Sequence, residues 1–89
     1  MTESNAIVTL IEKNSGFVTD MELPTDVIVK DLSGPVRNML SELAPRIFDR
    51  FKGVVFADDN GNVLQSNETL SSRGLWSGSI ITVLEANYD

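Results

Sequence analysis

The chain has 89 residues, seven basic against thirteen acidic, and a formal net charge of −6. That length suggests one domain with a modest core, and the acidity argues against nucleic acid and anionic membrane surfaces, which attract basic patches. Cysteine and histidine are absent, so no disulfide braces the fold, and Ser-His activation, Cys-His activation and the usual zinc ligand sets are all removed.

Residues 1–5 are polar and are read as a flexible N-terminus. They lack the basic start and apolar run of an export signal, and no apolar run approaches the roughly 20 residues of a membrane span. The cytoplasm is therefore the expected location, without membrane insertion. Ala6 to Ile11 is rich in β-branched residues and predicts a strand. Lys13-Asn14-Ser15-Gly16 is a turn signal. Phe17, Thr19, Met21 and Leu23 then alternate with Val18, Asp20 and Glu22, the period of a half-buried strand. These two segments form a hairpin.

Pro24-Thr25-Asp26 ends the second strand, because proline cannot continue a central ladder. Val29, Leu32, Val36, Leu40 and Leu43 follow at steps of three and four, on one helical face. Pro35 suits only the start of a helix. The regular helix is therefore expected at about 31–44, with Asp31 as N-cap candidate. A start at Ser33, with Gly34 and Pro35 in the first turn, is the alternative. Pro45 breaks this helix, and Ile47 and Phe51, four apart, predict a short second helix over Arg46 to Phe51.

Gly53 leads into a strand, Val54 to Ala57. Asn60-Gly61 then predicts a type I′ hairpin turn, with Val63-Leu64 returning as a short strand. Asp58-Asp59-Asn60-Gly61-Asn62 fails as a calcium loop, since its sixth and twelfth places hold Val63 and Thr69. Leu70 and Leu75 are the expected apolar pegs of a short turn, and Ile80 to Leu84 the last strand. Five short strands on one main helix, in the order β-β-α-β-β-β, make an α+β domain over residues 6–85, with a tail at 86–89.

Alternation also sorts the strand faces. Val8, Leu10, Val54, Phe56, Ile81 and Val83 should face the helix. Ile7, Ile11, Val55, Ile80 and Leu84 then share the open face with Thr9 and Thr82. A one-residue slip in the first strand would reverse its part of that assignment. A clustered apolar patch of this kind marks a contact site. Trp76, the single tryptophan, has two readings. It is either an exposed anchor for a partner or a ring lying over its own loop. The partner-binding set expected is Ile7, Ile11, Val55, Trp76, Ile80 and Leu84. No Ser-x-x-Lys and no glycine-rich phosphate loop occurs, so no catalytic residue, metal or cofactor is expected.

The stretches Leu23-Pro24-Thr25-Asp26, Val54-Val55-Phe56-Ala57, Glu68-Thr69-Leu70-Ser71 and Ser79 to Leu84 resemble ubiquitin, so the fold implied is a ubiquitin-like β-grasp. Val29-Lys30-Asp31-Leu32 after the Leu-Pro motif, the longer helix-to-strand segment and Gly74-Leu75-Trp76-Ser77-Gly78-Ser79 are similar to two bacterial groups. They are the YukD/EsaB family and the ubiquitin-like domain at the N-terminus of EccD membrane proteins, both associated with type VII secretion systems. The resemblance implies a non-catalytic protein that binds secretion components, or itself, without covalent attachment. A domain fragment of a larger membrane component is the alternative, and a covalently attached modifier the next. Ubiquitin-type conjugation needs a C-terminal Gly-Gly, and no Gly-Gly occurs here. Val55 and Leu84 match two places of ubiquitin's hydrophobic recognition patch. The third, near Lys13, is not apolar, and the basic rim is missing.

Overall fold

A computed structural model describes residues 4–86. Strand β1 runs Asn5–Glu12 and β2 runs Phe17–Pro24. They pair antiparallel, with Ile7 opposite Glu22, Thr9 opposite Asp20 and Ile11 opposite Val18. The first strand starts at Asn5, just inside the stretch expected to be flexible. The Thr25 N–H and hydroxyl both donate to the Ser4 carbonyl, at 2.6 and 3.0 Å, and tie that start down. The turn between the strands is built by Glu12, whose buried carboxylate accepts the N–H groups of Asn14 and Ser15 at 3.2 and 2.8 Å. Gly16 closes it at a φ of 77°, a conformation that costs glycine little.

Helix α1 runs Val29–Leu43, two residues earlier than expected, and Asp31 is not its N-cap. The reason lies in another part of the chain. The N–H groups of Val29 and Lys30 donate to the carbonyls of Glu68 and Ser66 at 2.8 and 3.0 Å, and those of Asp31 and Leu32 donate to the Ile28 carbonyl. The N–H groups of the first three helical residues, which a helix start leaves unpaired, are thus all used without a side-chain cap. Pro35 lies inside the helix. Gly34 before it has no Cβ to meet the proline ring, which eases the helical conformation at that place.

Val29, Leu32, Val36 and Leu40 are buried, but Leu43, expected on the same face, is 58% exposed. The chain turns at Ala44 into the four-residue helix α2, Pro45–Phe48. The ring of Phe48, fully buried, closes that end of the core edge-on against Phe17 and Phe51. The second helix is shorter than Arg46–Phe51: the Phe51 N–H donates to the Phe48 carbonyl at 3.0 Å, three residues back, and not to Ile47, and the chain beyond the helix is held by Arg37. Its guanidinium donates to the carbonyls of Phe51, Asp49 and Phe48 at 2.9, 3.0 and 3.3 Å. Ile47, expected to pack inward, is only half-buried.

Strand β3 is Val54–Ala57 and β4 is Ile80–Glu85. The sheet order is β2-β1-β4-β3. β4 lies parallel to β1, with Ile11 opposite Thr82, and antiparallel to β3, with Val55 opposite Leu84. The turn after β3 is not type I′, since no residue other than glycine has positive φ among the described residues. Instead the Gly61 N–H donates to the Asp58 carbonyl, and Gly61 sits at a φ of 86°. That is the three-residue hairpin loop with a left-handed glycine. The expected strand at Val63-Leu64 reduces to one bridge, Ala57 to Val63. Leu64, Leu70 and Leu75 are buried pegs on the core that α1 and the inner sheet face share.

Candidate functional site

The inner and outer faces of the sheet are sorted as alternation predicts. Val8, Leu10, Val54, Phe56, Ile81 and Val83 are each at most 2% exposed. Ile7, Trp76, Ile80 and Leu84 are 56%, 48%, 43% and 39% exposed, and Ile11 and Val55 are half-buried. The first strand therefore has no one-residue slip.

Register brings most of the expected set together on the open face. Val55 lies directly across from Leu84. Ile11 faces Thr82, so Ile80 and Leu84 are its diagonal neighbours on β4; diagonal pairs still touch through long side chains. Thr82 itself is buried to 6% exposure between Ile11 and Ala57, its neighbours across β1 and β3. Val18, 56% exposed and opposite Ile11, extends the patch onto β2. Alternation had placed Val18 outward, but only the register shows that it meets Ile11. Met39 and Leu43, exposed on α1, lie on the other side of the molecule.

Nearly half the surface of Trp76 is open. Its backbone is fixed, because the Trp76 N–H donates to the Ser79 hydroxyl and the Ser79 N–H returns to the Trp76 carbonyl, both at 3.0 Å. The same turn docks on β1. The Ile7 N–H donates to the Ser77 hydroxyl at 3.1 Å, and the Gly78 N–H to the Ile7 carbonyl at 3.0 Å. The turn that carries Trp76 therefore lies at the Ile7 end of the sheet, and Val55 and Leu84 at the other.

Carboxylates border the Ile7 end on two sides. On β2, Asp20 and Glu22 are exposed and point outward beside Thr9 and Ile7. The Thr9 hydroxyl donates to Asp20 at 2.8 Å, and the Asn5 amide to Glu22 at 3.2 Å. On the opposite side, a polar groove of about 240 Å³ includes Asp58, Asp59, Arg73 and Ile80. Arg73 bridges Asp58 at 3.1 Å and Glu68 at 3.0 Å. The Asn62 N–H, then those of Asn60 and the Arg73 guanidinium, hold the Asp58 carboxyl below its usual range despite some desolvation. The Gln65 N–H, helped by Arg73, does the same for Glu68. Asp58 thus spends its oxygens on its own turn and on Arg73. Among the described residues, no group of three or more metal-ligating side chains is brought together, and no helix is long and apolar enough to cross a membrane.

No family model and no curated protein matches the sequence. Solved structures do match the fold. The ubiquitin-like domain of the Mycobacterium tuberculosis type VII secretion system protein ECCD1 aligns with a TM-score of 0.75 at 21% identity, over 92% of this chain and 99% of that one. A chain of the MycP5-free ESX-5 inner membrane complex, state II, aligns with a TM-score of 0.76 at 9% identity, over 98% of this chain but 23% of its own. The ubiquitin of Caldiarchaeum subterraneum aligns with a TM-score of 0.62 at 16% identity, over 94% and 96% of the two chains. The fold is ubiquitin-like, α+β, with one main helix on a mixed four-stranded sheet.

Proposed function

We propose that this domain is a non-catalytic docking module of a bacterial type VII secretion system, which binds a protein partner non-covalently on the open face of its sheet from the cytoplasmic side. The observation that carries this is the row of Ile11, Ile80, Leu84 and Val55 on a face that no helix among the described residues covers. Apolar side chains held at the surface of a sheet gain free energy when covered, at about 25 cal/mol per Å² before the costs of association. The likeness to the ECCD1 domain over 99% of that domain supports the secretion setting. A second form of the same reading, a cytosolic domain within a larger membrane component, is favoured by the ESX-5 chain, in which a domain of this fold spans 23% of the length.

The test compares the parent with Val55→Asp and Leu84→Asp, each captured with its bound proteins from the native host. Both variants should keep the parent's circular dichroism, because neither side chain faces α1, and both should lose the secretion component that the parent retains. A variant that retains it as the parent does removes the open face from the function.

A further inference from the structure

The border of the open face specifies the chemistry of a partner docked there. The Ile7 end of the open face presents exposed Ile7 and Ile80, with exposed Trp76 on the turn that docks on Ile7, between two acidic flanks. Asp20 and Glu22 stand on the β2 side. Across from them, Asp58, Asp59 and Glu68 surround the one Arg73, so that flank is net negative after its own salt bridges. The nearest cation along this strand, Lys13, lies in the turn after β1, beyond Ile11 at the far end.

The distance between the flanks narrows the occupant further. From β2 to β3 there are three strand spacings of about 4.8 Å, or about 14 Å. An added extended strand would carry the side chains of one face along a single line and reach only one flank. An α-helix is about 10–12 Å across, with an apolar stripe bordered on both sides. Lysine and arginine at the two borders of such a stripe span the remaining distance with their long stems.

We propose, resting on the docking reading, that the partner presents a cationic amphipathic α-helix, its apolar stripe over Ile7, Ile80 and Trp76 and its basic borders on Asp20 and Glu22 on one side and Asp59 on the other. Charge of this arrangement sets partner choice and encounter rate more than it sets affinity. It is the opposite sign from what a basic-rimmed patch would select.

Trp76, the only tryptophan, is a built-in reporter. The experiment titrates the domain with two tryptophan-free synthetic helices of equal length and identical leucine stripe, one bordered by lysine and one by glutamate, and follows Trp76 fluorescence. At low salt the lysine helix should bind on the order of tenfold tighter than the glutamate helix, and that preference should shrink toward unity at about 0.5 M salt, where the screening length is only a few ångströms. Asp20→Asn/Glu22→Gln/Asp59→Asn should remove the preference while leaving the fold intact, since all three side chains are exposed. Ile80→Ser should weaken both helices. Equal binding of the two helices, preference for glutamate, no binding of either, or a dimer of the free chain formed through this face would each overturn the inference. The docking reading fails separately, if Leu84→Asp leaves capture of the native partner unchanged.

Discussion

Leu40 is fully buried at the centre of the α1 face that meets the sheet. Leu40→Ala removes that contact and leaves a cavity, which costs about 2–5 kcal/mol. Urea unfolding should show the loss as a lower midpoint with an unchanged slope. The carboxyls of Asp58 and Glu68 give a second expectation at the same scale. Both are held below their usual range in the folded protein, so the unfolded chain binds protons more readily as pH falls. Their stabilisation is therefore complete above their unfolded values, about 3.9 and 4.3, and is lost as pH falls through the lower folded values. Glu12 acts in the same direction. Burial pushes its carboxyl up, but the side chain and N–H of Ser15, the Asn14 N–H and the charge of Arg50 outweigh this. The melting temperature should be flat from pH 7 to about 5 and fall steeply below about 4. Arg73→Ala should make that fall shallower without removing it, because backbone N–H groups are the first cause for both carboxyls. An unchanged acid profile would show that the arginine contributes nothing.

At the scale of elements, α1 contains the clearest local conflict. Pro35 lies in the helix interior, where it has no N–H to give the carbonyl four residues back. Pro35→Ala restores that donor and should raise stability by about 1–3 kcal/mol, read by the urea midpoint. A fall instead would mean that the proline's restriction of the unfolded chain outweighs the missing bond. What the sequence showed of these elements follows from the range of each interaction. The β1–β2 hairpin, the buried faces of all strands and the α1 stripe of Val29, Leu32, Val36 and Leu40 were legible, because they rest on periodicity. The start of α1 was not, because its first two N–H groups are taken by Ser66 and Glu68, more than thirty positions away. The end of α2 was missed for a local reason, since the Phe51 N–H closes a three-residue turn on the Phe48 carbonyl instead of continuing the helix. The Asn60-Gly61 signal located a hairpin correctly but not its type. Asp58 binds the Asn60 and Asn62 N–H groups and holds a longer loop.

For the whole molecule, the open face could be assembled from alternation alone, whereas Val18 joined it only through the β1–β2 register, and the acidic flank at Asp58 and Asp59 only through the turn that folds against Ile80. The variants Val55→Asp and Leu84→Asp belong to this scale, since they alter a surface and leave the core as it is. The sheet order has a consequence for how the domain is made. β4, the latest strand in the chain, is inserted between β1 and β3 rather than added at an edge. While the ribosome is still adding residues before Ile80, the emerged hairpin and β3 have no strand to join them, and the apolar side chains meant for β4 and α1 stand uncovered. The domain therefore folds only after its last strand has left the exit tunnel. A polypeptide extension after that strand would let this happen while synthesis continues, and release factors would otherwise set the moment at which it begins.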